Sequence, residues 1–86
     1  MLNFSWLRTF STLAETENFT EAANKLLMTQ PGVSQHVRKL EKYLSQQLIF
    51  RKDKHFELTP QGKSVLEYAR QVLDGEKLLL KFRSSN

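Results

Sequence analysis

The chain has 86 residues, a formal net charge of +4, 40% hydrophobic and 26% charged residues and no cysteine, which suits one small folded domain and argues against disorder. A domain this short buries only about 60–65% of its unfolded surface, so partner contacts are expected to add to its stability. Without cysteine there are no disulfides or thiolate zinc sites; no apolar run approaches the roughly 18 residues of a membrane span, and Met1-Leu2-Asn3-Phe4-Ser5-Trp6 lacks signal-peptide character, so a cytoplasmic module without membrane contact is expected.

Trp6, Leu7, Phe10, Leu13 and Ala14 recur at helical spacing and predict a first helix over residues 4–16. Glu15-Thr16-Glu17-Asn18 breaks it. Thr20 then reads as the N-cap of a second helix, with Phe19 just outside and Glu21 in its first turn. Phe19, Ala22, Ala23 and Leu26 form the apolar face, and the small pair Ala22-Ala23 lets another helix approach closely.

A third helix starts at Thr29 as cap, with Pro31 in the first turn, where a missing N–H costs little. Val33, Val37, Leu40 and Leu44 make its buried stripe. Pro31, Ser34, Gln35, Arg38 and Lys42 line up on the opposite side. One face holds the helix to the domain and the other is free to read something.

Leu48-Ile49-Phe50-Arg51 and Phe56-Glu57-Leu58-Thr59 are β-prone runs around the polar tip Lys52-Asp53-Lys54-His55, which predicts a small hairpin. A two-stranded ribbon is marginal alone, so Phe50, Phe56 and Leu58 are expected to lean on the helices. Thr59-Pro60 opens a long helix over roughly residues 60–82, with Val65, Leu66, Ala69, Val72, Leu73, Leu79 and Leu80 apolar. That stripe is longer than so small a domain can cover. Gly75 weakens the helix by about 1 kcal/mol relative to alanine, so its end is expected to fray if unpaired. Trp6, Phe10, Phe19 and Phe50 are read as core aromatics.

The charge is localised. Between Arg38 and Lys54 six basic residues (Arg38, Lys39, Lys42, Arg51, Lys52, Lys54) face two acidic ones (Glu41, Asp53), while the remaining seven of each sign cancel. All the excess sits on the third helix and the segment after it, the footprint that phosphate binding needs. Glu41, placed among these cations, is expected to form an ion pair within its helix or with another helix.

Enzymatic chemistry finds no support. Glycine occurs only at positions 32, 62 and 75, so there is no phosphate-cradling loop, and no zincin or nucleophile-elbow pattern is present. Ser34, His36 and Glu41 share one helix and cannot converge as a triad. His36 and His55 are too isolated for a metal site, and His36 is read as a helix-surface residue within reach of a phosphate. No cofactor is expected.

Five segments carry a resemblance: Leu7-Arg8-Thr9-Phe10; Asn18-Phe19-Thr20-Glu21-Ala22-Ala23; Thr29 through Glu41 (TQPGVSQHVRKLE); Leu48-Ile49-Phe50-Arg51; and Leu58-Thr59-Pro60-Gln61-Gly62. In this order and spacing the chain resembles, over residues 4 to about 82, the N-terminal winged helix-turn-helix domain of LysR-type bacterial transcription regulators. The resemblance implies a mainly α fold, with a three-helix core and a two-stranded β wing over residues 1–59. A linker and dimerisation helix then follows over 60–86. Ile49 stands where the family often has phenylalanine, and Asp53 where glycine is common at the wing tip.

It also implies a homodimer on double-stranded DNA, with recognition helices in successive major grooves of an interrupted A·T-rich near-palindrome. A small-molecule effector would bind a further domain outside this chain, and full-length proteins could form higher oligomers. Gln35 is the leading base reader, since an amide can pair bidentately with adenine N6 and N7. Gln30, Pro31 and Ser34 surround it at positions the family places on bases and nearby backbone, Pro31 offering only apolar contact. Arg38, Lys39 and Lys42, with Thr29 at the helix start, suit phosphates, which fix register without carrying sequence. Arg51, Lys52 and Lys54 fit a wing on flanking DNA, or else guard an edge strand against aggregation. Val65, Ala69, Val72, Leu73, Leu79 and Leu80 form the implied dimer stripe. A rival winged-helix family, or a coiled-coil adaptor whose basic patch meets an acidic partner, remains open at this point.

Overall fold

The structure, a computed structural model, describes residues 1–52 and 55–84, with Ser84 described by its backbone alone. Four helices follow in order: α1 (Phe4–Thr16), α2 (Phe19–Leu26), α3 (Gln30–Leu44) and α4 (Pro60–Ser84). α1 lies at the centre and packs against each of the other three. Its face of Leu7, Phe10 and Leu13 is buried together with Ala22 and Ala23 of α2, Val33, Val37 and Leu40 of α3, and Leu66 and Ala69 of α4. Among the described residues, no helix is long and apolar enough to cross a membrane.

The caps explain where the helices begin. Asn3 holds an extended backbone and its side chain accepts from the Ser5 N–H at 2.7 Å. The cap of α2 is Asn18, not Thr20: its Oδ1 accepts from the Glu21 N–H at 2.9 Å. Asn18 is extended (φ −153°, ψ 120°), so its amide folds back over the first turn, whereas Thr20 is already inside the helix. Thr29 caps α3, accepting from the Gly32 N–H at 3.1 Å, and Pro31 lies in the first turn as the sequence predicts. The first three helices end on Glu17, Leu27 and Ser45, each left-handed at φ 54–55° without being glycine. Such caps free the terminal carbonyls from solvent but strain a residue with a Cβ by about 1–2 kcal/mol.

Between α3 and α4 the predicted hairpin reduces to one antiparallel bridge, Ile49 with Leu58. The Phe50 N–H donates to the Glu57 carbonyl and the Thr59 N–H to the Leu48 carbonyl, both at 3.0 Å. No longer strand ladder forms among the described residues, and Asp53 and Lys54 lie outside them. Phe50 corrects the expected core: it is 41% exposed, while the successive residues Leu48 and Ile49 are both buried. With Ile49 facing inward at the bridge, the alternation of extended chain turns Phe50 outward, and Leu48 is the residue that departs from it. Phe56 and Leu58 do pack against the core.

Buried Thr59 anchors the start of α4. Its hydroxyl donates to the Gln47 carbonyl at 2.6 Å and accepts from the Gly62 N–H at 2.9 Å. The helix runs unbroken through Gly75 to Ser84. It serves two environments along its length. Leu66 and Ala69 belong to the core and Val65 and Val72 pack against it, but Leu78, Leu79, Leu80 and Phe82 are exposed.

Candidate nucleic-acid interface

α3 presents its polar face outward because Val33, Val37 and Leu40 are pulled fully into the core on the other side. With 3.6 residues per turn, Pro31, Gln35 and Lys42 fall close to the line opposite that buried stripe. Arg38 and Lys39 flank the line on either side. Gln30, Pro31, Gln35, Arg38, Lys39 and Lys42 are all exposed and Ser34 is half-buried. Thr29, Pro31, Ser34, Gln35 and Arg38 rim one shallow hollow, and Phe19, Gln30, Pro31 and Ser34 rim a second beside α2. The residues nominated from sequence as readers and phosphate clamps therefore lie at the start of α3 and along its outward side. Thr29 does so while its hydroxyl caps the helix.

Beyond the helix the cations are not equivalent. Arg51, expected on flanking DNA, is bound to Glu41: its Nη1 lies 2.8 Å from Oε1 and 3.0 Å from Oε2. Oε2 of Glu41 also accepts from the backbone N–H of Leu48 at 2.8 Å and of Ile49 at 3.4 Å. One carboxylate thus satisfies the chain leaving α3 and holds the first arm of the bridge. Lys52 is exposed, and Lys54 lies outside the described residues. A cleft between the start of α2 and this arm is lined by Thr20, Gln30, Phe50, Arg51 and His55, among others.

His36 corrects the reading of a plain surface histidine. It is half-buried, and its Nδ1 shares a 2.8 Å hydrogen bond with the hydroxyl of Thr9, a buried residue of α1. Burial, and then the Lys39 ammonium, lower its pKa below the ordinary imidazole value of 6.5. The unfolded chain takes up this proton first as pH falls. The contribution of His36 to stability is therefore complete above about pH 6.5 and is lost as pH falls through the lower folded-state value. His36→Gln, whose amide can keep the Thr9 bond, should show a smaller drop in melting temperature than the wild type between about pH 7.5 and 5.5. An equal drop in both would remove His36 from the pH response.

The residues of the expected dimer stripe separate. Ala69 is wholly enclosed by its own chain, and Val65 and Val72 are partly so. Leu73 lines a polar groove between α1 and α4, next to the Arg8–Glu76 ion pair at 2.7 Å. Leu79 and Leu80 are 67% and 44% exposed. No cluster of three or more metal-ligating side chains occurs among the described residues.

Residues 4–63 match the family model described as bacterial regulatory helix-turn-helix protein, lysR family. The HTH-type transcriptional regulator CitR of Bacillus subtilis is 42% identical over 73 residues, covering 85% of this chain and 25% of CitR. The chain thus spans about a quarter of the length of such curated relatives. Among solved structures, a BenM DBD/catB site 1 DNA complex superposes with a TM-score of 0.91 at 30% identity, covering 98% of this chain and 94% of that one. Vibrio fischeri DarR in complex with DNA gives 0.90 at 34% identity, covering 99% of this chain and 29% of that one. With the capped helix pair, the outward polar face of α3 and this match over most of its length, the chain belongs to the LysR family of bacterial transcription regulators, of which it forms the helix-turn-helix DNA-binding domain.

Proposed function

We propose that the domain binds double-stranded DNA sequence-specifically as a homodimer, with α3 in the major groove and the segment around the Ile49–Leu58 bridge against flanking DNA. The carrying observation is the outward side of α3, which bears exposed Gln30, Pro31 and Gln35 and half-buried Ser34 on the same helix as exposed Arg38, Lys39 and Lys42. Gln35 reads a base and the cations neutralise phosphates on either side. The DNA complexes of BenM DBD and DarR, so close in fold, support this docking. The exposed Leu79 and Leu80 supply the dimer contact, and the paired domains recognise an interrupted, A·T-rich near-palindrome. The activity belongs in the bacterial cytoplasm, and effector sensing falls to the part of a full-length regulator beyond this chain.

Gln35→Ala should lose about 1–3 kcal/mol on the cognate site and barely change binding to random duplex. Lys42→Ala should weaken both and flatten the dependence on salt. Equal losses on cognate and random DNA for Gln35→Ala would remove it as a reader. If the wild-type chain shifts no duplex at low salt, the adaptor reading, with α4 pairing to another protein, takes its place.

A further inference from the structure

Where the start of α1 meets the end of α3, two aromatic residues remain outside the surface described so far. The rings of Trp6 and Tyr43 meet edge to face, with centroids 6.4 Å apart and planes at 62°. Together with Lys39 and Lys42 they line a hollow of about 350 Å³, and Tyr43 is 49% exposed. The hollow has aromatic walls and two ammonium groups at its edge. Its chemistry suits an occupant that alternates an apolar body with negative charge, as a sugar–phosphate chain does.

The position fits as well. Gln35, Lys39 and Tyr43 follow one another at intervals of four, so the hollow continues the reading face along the helix towards α1. From Gln35 to Tyr43 the helix rises about 12 Å. A helix that places its N-terminal part, with Gln35, over the base edges carries Tyr43 that distance further on, towards the end that leaves the groove past the bordering strand.

We infer that this hollow seats the DNA backbone of that bordering strand: Lys39 and Lys42 on phosphates, the Tyr43 hydroxyl donating to a phosphate oxygen, and Trp6 packed against a deoxyribose. The inference rests on the DNA-binding reading above. It adds α1 to the interface and assigns Trp6 and Tyr43 to positioning, since backbone contacts carry no sequence information.

Trp6 is the single tryptophan of the chain, so its fluorescence reports on the hollow directly. Acrylamide quenching is measured on the free chain and on the chain saturated with random-sequence duplex. Quenching should fall on saturation. Tyr43→Phe, which removes only the hydroxyl, should bind cognate and random duplex about three- to tenfold more weakly. Lys39→Gln should act in the same direction on both duplexes, and serves if Tyr43→Phe fails to fold. Trp6 equally quenchable in the saturated complex would overturn the proposal, as would unchanged affinity of a folded Tyr43→Phe or a loss confined to cognate DNA. Protection that appears without DNA and grows with protein concentration would make the hollow a contact between copies, which also overturns it. In each of those cases DNA binding itself stands; a wild-type chain that binds no duplex takes both readings down.

Discussion

Gly62→Ala is expected to destabilise the domain by on the order of 3 kcal/mol, although it adds one methyl group to a helix. A Cβ at Gly62 would stand 2.1 Å from the Leu48 carbonyl oxygen and 3.0 Å from its carbon. Both are backbone atoms, and neither can turn aside. That carbonyl also accepts from Thr59, so moving it disturbs the cap of α4 as well. For a domain of this size 1 kcal/mol shifts the melting temperature by about 4–8 °C, so a fall of more than about 10 °C should be seen by circular dichroism. Gly75→Ala is the control: nothing lies within 4 Å of its added Cβ, and helix propensity alone should stabilise by up to about 1 kcal/mol. A Gly62→Ala protein that melts with the wild type would mean that α4 does not start against Leu48.

Leu79→Glu should give a folded monomer. Leu79 is 67% exposed and lies among Leu78, Leu80 and Phe82, so a carboxylate there burdens no core contact of its own chain. Sedimentation should show loss of the dimer, with the melting curve at high dilution unchanged. Affinity for a two-half-site duplex should fall about 10²–10⁴-fold, towards that of one half-site, because the second domain no longer binds in tandem with the first. Inserting about five base pairs between half-sites should reproduce the fall in the wild type, since this turns the second site to the opposite face of the duplex. Val72→Glu is expected to differ, disturbing the fold itself, because Val72 packs on the core. A Leu79→Glu chain that still sediments as a dimer would move the interface elsewhere on the molecule.

The same helix shows what sequence periodicity can and cannot deliver. Spacing locates α1, α3 and α4, because each carries apolar residues at helical intervals, with Thr29 and Thr59 marking where the last two begin. Along α4, however, the stripe from Val65 to Leu80 reads as one surface, and only the position of α1 decides where core stops and exposure begins. The cap of α2 lies two residues before the one the sequence suggests, because Asn18 and Thr20 are both competent caps and backbone geometry chooses between them. On α3 the outward face was legible from its polar stripe. Thr9 with His36 and Arg51 with Glu41 were not, since each pair joins residues distant in sequence through a fold that has to exist first. Phe50 marks a related limit: in Leu48-Ile49-Phe50, hydrophobicity alone does not say which of the consecutive apolar residues faces inward.

The hold of Glu41 on the Leu48 and Ile49 amides bears on how ordered the unbound domain is. These two N–H groups belong to no helix, yet they are tied to the last turns of α3 by a carboxylate whose side chain is only 12% exposed. Their exchange with solvent deuterium should therefore be slow, and should follow the opening of α3 rather than that of a surface loop. On the proposed function, α3 and the root of the segment that follows it would then meet DNA as one preorganised body. The entropy of fixing that junction is already lost on folding, so association does not have to supply it.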